Sequence, residues 1–299
     1  MVDDEPKISA KSVPISRVPA FLLAMAAVIF VDWNMGFSLF AFESAGPFLI
    51  LMVVAVLIAI WNKSQVIVLI SRASVPAGAL VAALNAMHMF TAPATDPETA
   101  MFSTRLIFAP MGLGIIFSYL VPLIEPVGAN FELTLSRAKQ LASWALSLVA
   151  IYVVWTFIIQ STVSFAGFID LNSVVISVAV MAICMVYPGN ENLSMHEKAV
   201  YSGLFICVMA AVLGVAFYSS AAAMGSKFIG QSASFGVLTT LYGSFVVFVA
   251  TILGGQSSMN AAESRYFDWH LIESWIFLAL MLMAPRTLIE LFIWYFPSH

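Results

Sequence analysis

The chain has 299 residues, of which 62% are hydrophobic and only 9% are charged, and its formal net charge is −4 at pH 7. So few charges cannot cover the surface of a water-soluble globule, and the composition therefore excludes a soluble domain and a basic nucleic-acid-binding protein. Apolar segments recur at about 20 residues, the length that a bilayer core of about 30 Å requires. We predict an all-α polytopic membrane protein.

The predicted elements begin after a polar tail. The first residues contain no small-residue cleavage site before the first apolar segment, which predicts a cytoplasmic tail at 1–18 rather than a cleaved signal peptide. About nine transmembrane helices are then expected, separated by breaks rich in Gly, Pro, Asn and Ser. They lie at about 19–40, 45–61, 66–90, 105–124, 141–160, 171–188, 199–219, 233–253 and 270–296.

Basic residues predict the orientation of these spans. Nine fall on the side of the N-terminus and two on the other side, and by the positive-inside rule the N-terminus is cytoplasmic. The chain is predicted to be a multi-pass membrane protein with a cytoplasmic N-terminus, and a bacterial inner membrane is its expected location. The nine are Lys7, Lys11, Arg17, Lys63, Arg72, Arg137, Lys139, Lys198 and Arg265, and the two are Arg105 and Lys227.

An internal repeat is the most informative pattern in the sequence. A shift of about 126 residues places "AFESAGPFLILMVVAVL" on "GFIDLNSVVISVAVMAI", and Arg72 on Lys198. A shift of about 129 places "FAPMGLGIIFSY" on "VLTTLYGSFVVF", and Gly114 on Gly243. Each half has four spans and one acid, Glu43 or Asp170, in a short external loop. An even number of spans predicts two parallel repeats plus one extra C-terminal helix.

The repeat sets the expected domain boundaries. Residues 19–126 form the first four-helix repeat, 127–140 a cytoplasmic linker, and 141–255 the second four-helix repeat. Residues 256–299 form a loop and the C-terminal helix.

Three motifs resemble the MotA/TolQ/ExbB proton-channel family. "GVLTTLYGSFVV" resembles the last helix of that family, and "FAGFIDLNSVVISVAVMA" resembles the loop and second helix of the flagellar stator subunit MotA. "SVPAGALVAALNAM" in the first half resembles the third helix, with Pro76 at the proline position and "TDPE" in the acidic loop that follows. The chain would then be a tandem duplication over roughly residues 20–255.

The resemblance implies an ion-driven channel subunit. Such subunits form a ring, usually of five, around a MotB-like or ExbD-like single-span partner whose aspartate carries the proton. This chain lacks the large cytoplasmic domain of MotA, so torque on a flagellar rotor is not expected. It also lacks the third-helix threonine of the family in both copies, and its first copy has "PMGLG" in place of "TTLYG".

The threonine pair in "TTLYG" has two interpretations. A threonine hydroxyl in a membrane helix can bond back to a carbonyl one turn earlier, or it can face a wet cavity. Thr239 or Thr240 would in the second case line an ion pathway with a partner's carboxylate. If the threonines bond back, Tyr242 would lie at a helix contact and Gly243 would allow close packing. The ion-pathway hypothesis instead includes Tyr242 and Gly243 in the pathway, together with Asp32.

Other polar residues in or near the spans are weighed in the same way. Asp32 lies about 20 Å along the first helix and is either an ion-relay group or the ion-pair partner of Arg105. Asn85 and His88 share one helix face, which favours an interhelical hydrogen bond over a metal site. Pro76, Gly114, Arg105 and Asp170 are predicted to be structural.

No sequence motif indicates catalysis or a cofactor. Cys184 and Cys207 have no CxxC spacing and are expected to be buried small hydrophobes. Phosphate-loop, dinucleotide-binding, HExxH and GxSxG patterns do not occur in the chain. We therefore expect no enzyme activity, no cofactor and no metal.

Three functions remain possible on this basis. The first is a channel-type subunit that couples an ion gradient to the motion of a partner. The second is a non-conducting scaffold of a larger membrane complex, and the third is a small-solute transporter. We also expect a homo- or hetero-oligomer in the lipid bilayer, and no nucleic-acid partner.

Overall fold

A computed structural model describes residues 17–35, 40–62, 66–91, 97–124, 137–159, 169–186, 195–224 and 229–254. Within these ranges the protein is all-helical and has no strand. The eight helices are α1 (Arg17–Met35), α2 (Phe42–Trp61), α3 (Val66–Thr91), α4 (Pro97–Ile124), α5 (Arg137–Ile159), α6 (Leu171–Val186), α7 (Met195–Met224) and α8 (Ile229–Gly254). The ninth span predicted at 270–296 lies outside the described residues.

Membrane-length helices are confirmed in part. Among the described residues, four helices are long and apolar enough to cross a membrane, with candidate spans at Leu69–His88, Ala138–Ile158, Met195–Gly214 and Phe235–Leu253. Shorter apolar helices occur in α1, α2, α4 and α6. This pattern places the protein in the class of helical membrane proteins.

Several helix ends differ from the predicted spans. Helix α4 begins at Pro97, eight residues before the predicted start, so the "PE" of the supposed acidic loop is helical. Proline is favoured at the first position of a helix because no intrahelical partner is needed there for its missing N–H. Helix α7 runs from Met195 to Met224, beyond its predicted span at both ends. Hydropathy marks only the apolar part of a helix, so polar first and last turns escape it.

Four helices form the inner row of the bundle, in the order α4, α3, α8, α7. The most extensive packing is between α7 and α8 and between α3 and α4, and α3 also packs along α8. Helix α2 lies over α3 and α4, and α6 lies over α7 and α8. Helix α5 packs against α2, α3 and α8, while α1 packs against α4. The centre of the protein is therefore the α3–α8 contact.

Small side chains allow this close packing. All residues of α3 from Ala73 to Met87 are buried, and many of them are alanine. Without a hydrophobic driving force between helices in lipid, association depends on close van der Waals contact and on interhelical hydrogen bonds, which small residues permit. Large buried side chains such as Phe48 and Phe248 fill the space around α3.

Candidate functional site

The threonine pair lies on the inner face of α8. The hydroxyl of Thr239 donates to the carbonyl of Phe235 at 2.8 Å, and that of Thr240 donates to the carbonyl of Gly236 at 2.8 Å. Both side chains are completely buried within the chain. The back-bonding interpretation is therefore the one the structure shows, while a pore lined by these residues stays a prediction.

Gly243 lies at the closest approach of α7 and α8. A Cβ atom added there would come within 2.6 Å of the Gly203 carbonyl oxygen, and one added at Gly203 would come within 2.8 Å of the Gly243 oxygen. Cys207, one turn above Gly203, has its Sγ 3.7 Å from the Thr240 carbonyl. Gly214 and Gly236 form a further contact along the same seam. Helices α7 and α8 therefore pack closely around Gly243, while its place in an ion pathway stays a prediction.

Tyr242 connects α8 to the start of α6. Its hydroxyl lies in hydrogen-bonding contact with the backbone of Asp170, directly before α6. Asp170 in turn caps that helix, since its Oδ2 accepts hydrogen bonds from the Ser173 backbone N–H at 2.8 Å and from the Ser173 hydroxyl at 2.7 Å. An aspartate in this position satisfies a helix N–H that has no intrahelical partner. Asp170 thus stabilises the start of α6.

Two hydrogen bonds from α3 to α4 have a common cause. Asn85 Nδ2 donates to the Leu106 carbonyl at 2.7 Å. That carbonyl would normally accept from the N–H of the residue four positions later, but this residue is Pro110, which has no N–H. The side chain of Asn85 therefore replaces the missing backbone donor. The expected interhelical contact of Asn85 is confirmed, with an acceptor that the sequence analysis did not identify.

The second hydrogen bond from α3 to α4 repeats this replacement of a missing donor near the other end of the helix pair. The Ser71 hydroxyl donates to the Ser118 carbonyl at 2.9 Å, and the residue four positions after Ser118 is Pro122. Both carbonyls that the prolines of α4 leave open are thus satisfied by α3. The sequence contained a signal for this, because the carbonyl four residues before an interior proline loses its usual backbone donor.

Gly114 and Pro76 are also part of the inner helix pairs. A Cβ at Gly114 would lie 2.6 Å from the Ser74 carbonyl oxygen, so α3 and α4 cross there as closely as α7 and α8 do at Gly243. Gly78 makes the same kind of contact with the Pro110 carbonyl. Pro76 is buried inside α3. These positions hold helices together and have no group that could act chemically.

Asp32 and Arg105 belong to two helices that pack against each other. Asp32 is buried in α1, and α1 packs against α4, which carries the half-buried Arg105. Both residues are engaged in polar or electrostatic interactions, as is His88. The direct Asp32–Arg105 pair stays a prediction.

The two cysteines lie on neighbouring helices, Cys184 in α6 and Cys207 in α7. Cys207 is buried and Cys184 is half-buried, and no disulfide joins them. In the part of the chain that the structure describes, no group of three or more His, Cys, Asp or Glu side chains could hold a metal ion.

A scan against protein-family models and searches of curated proteins and of solved structures find no match to this chain.

Proposed function

We propose that this protein is a structural, non-conducting subunit of a larger complex in the membrane. The observation that carries the proposal is the state of Thr239 and Thr240. Their hydroxyls, the best candidates for an ion pathway, are bonded to the backbone of their own helix and are buried by neighbouring helices. A hydroxyl in this arrangement contributes to packing, and a partner's carboxylate would have to separate the helices to reach it.

A tandem repeat underlies this scaffold. Adding 129 to Ser74 and Gly114, which meet in the α3–α4 crossing, gives Gly203 and Gly243, which meet in the α7–α8 crossing. The same shift takes Asn85 to Gly214, and Leu106 to the residue before Gly236. These equivalent contacts support two parallel four-helix units. They align α3 with α7 at a shift of 129 residues, three more than the shift of 126 that places Arg72 on Lys198.

The proposal includes a bacterial inner membrane and a cytoplasmic N-terminus. Two cysteines introduced singly into a cysteine-free variant test the orientation. A cysteine at Thr95 is expected to react with an impermeant thiol reagent added to intact cells, and one at Ser194 is expected to react only after the membrane is opened. Reversed labelling would show that the N-terminus lies outside.

The alternative is a channel subunit similar to MotA, TolQ and ExbB, with an aspartate-bearing single-span partner. Its support is Asp32, a carboxylate buried in an apolar helix, because ionisable residues inside a membrane often mark ion pathways. The similarity of "TTLYG" to that family stays a prediction from a short motif.

Proton flux in liposomes separates the two proposals. The purified chain is expected to leak protons no faster than empty liposomes, and Thr239→Val with Thr240→Val is expected to fold and behave identically. Valine keeps the shape and removes only a hydroxyl whose acceptor carbonyl is also served by the helix. The measurement is the decay of a pH gradient with an internal dye.

Opposite results would favour the channel. One such result is a proton leak through the purified chain itself. Another is a proton leak that appears when a single-span protein with a membrane aspartate is added. In either case Thr239→Val with Thr240→Val, or Asp32→Asn, must abolish the leak. Unfolding of the valine variant, measured by thermal melting in detergent, would show instead that the hydroxyls are structurally essential.

A further inference from the structure

The two four-helix units meet through different faces. The first unit contributes α3 and the second contributes α8, so the row α4, α3, α8, α7 ends with α4 on one side and α7 on the other. A contact between two unlike faces of equivalent units is heterologous, and such a contact can be repeated by further units. If the units are equivalent, α7 carries the face that α3 uses, and α4 carries the face that α8 uses.

Exposure along the inner row agrees with two unused faces. Val212 of α7 is 51% exposed, whereas Ala83, its equivalent in α3, is fully buried at 0%. Phe108 of α4 is 37% exposed, whereas Val237, its equivalent in α8, is 3% exposed. The helices that end the row thus expose positions that the central helices bury.

The outer helices show the same difference. Helix α5 lies across α2, where the Phe42 and Phe157 rings meet at 5.6 Å near one end and Asn62 donates to Ser143 at 3.3 Å near the other. Between these contacts Met52 is buried, with 5% exposure. The equivalent of Met52 in α6, 126 residues later, is Val178, which is 60% exposed.

The face of α1 completes the pattern. The string "VIFVDW" at 28–33 matches "AIYVVW" at 150–155 in α5, which aligns Ile29 with Ile151 and Trp33 with Trp155. Ile151 and Trp155 are partly buried against the core that α5 shares with the first unit. Ile29 and Trp33, by contrast, are exposed in α1. The α1–α4 side and the α6–α7 side of the chain are therefore the two halves of a contact already formed once within it.

We propose that a second copy of this chain binds head to tail, with its α1 and α4 packed on α6 and α7 of the first. The contact repeats between chains the α2–α5 and α3–α8 packing that joins the two units within one chain. This inference rests on the proposed repeat, but not on whether the protein conducts ions. The partner is a second copy because the complementary face is carried by this chain, whereas lipid would match any apolar surface.

Cross-linking between two differently tagged chains tests the contact in isolated membranes. Both chains carry Cys184→Ala and Cys207→Ala, one adds Ile29→Cys and the other adds Val178→Cys. The equivalent residues Ile151 and Met52 belong to α5 and α2, which pack together within one chain, so a short bifunctional thiol reagent is expected to link the two tags. The matched control is Val149→Cys in place of Val178→Cys, because Val149 is 57% exposed on the outward side of α5 and is not expected to cross-link.

The remaining outcomes overturn the proposal. Links only between identical substitutions would mean a symmetric, head-to-head contact. Absence of any link would mean that lipid or the chain's own residues 255–299 cover these faces. Met52→Cys with Ile151→Cys in one chain is the internal check, since failure of this pair to link would remove the contact that the proposal repeats between chains. A positive internal check with no link between chains would leave the repeat intact and reject the docking alone.

Discussion

Gly243→Ala is expected to destabilise the protein by about 1 to 3 kcal/mol, the usual cost of overpacking a close contact. The added methyl group would lie 2.6 Å from the Gly203 carbonyl oxygen, and backbone atoms cannot move aside as a flexible side chain can. Helices α7 and α8 would have to separate, which would weaken the contacts along their length. The measurement is the thermal unfolding midpoint in detergent, which is expected to fall by several degrees.

Gly46→Ala is the matched control. Gly46 also lies inside a helix, but a Cβ there would approach only the Phe42 ring, at an ordinary 3.4 Å. Because alanine is favoured over glycine in a helix by about 0.5 to 1 kcal/mol, this variant is expected to be as stable as the wild type or slightly more stable. Equal effects of the two substitutions would contradict the close α7–α8 crossing.

Asn85→Leu is expected to cost about 1 to 3 kcal/mol, because it leaves the Leu106 carbonyl buried without its donor. Leucine is close to asparagine in size, so the main change is the lost hydrogen bond from Nδ2. The yield of folded protein and its unfolding midpoint should both fall.

A second substitution should restore the stability that Asn85→Leu removes. Pro110→Ala supplies a backbone N–H to the Leu106 carbonyl, so Asn85→Leu with Pro110→Ala is expected to be more stable than Asn85→Leu alone. The double-mutant cycle measures this coupling directly. Additive effects of the two substitutions would show that Asn85 does not compensate for the proline. Ser71→Ala with Pro122→Ala is the parallel cycle at the other end of the helix pair.

The sequence was sufficient for the class of protein and for much of the local structure. An all-helical chain with membrane-length apolar helices follows from composition and segment length, since a backbone in lipid must satisfy its own hydrogen bonds. The interhelical hydrogen bond of Asn85 could also be predicted, because a polar side chain in a membrane helix requires a hydrogen-bond partner. Helix ends were less predictable, as α4 and α7 show, because polar first and last turns carry no hydropathy signal.

Only the tertiary structure decided which groups meet. Sequence left two interpretations of Thr239 and Thr240 open, and the burial of α8 between α3 and α7 selected back-bonding, because a hydroxyl surrounded by packed helices has no water and bonds to the nearest carbonyl. The acceptor of Asn85 depended on α3 lying beside Pro110. The order of the inner row, and with it the two exposed faces at α4 and α7, likewise arises from contacts between residues far apart in the chain. Such contacts are set by the fit of whole helix surfaces, which hydropathy and motif spacing do not encode.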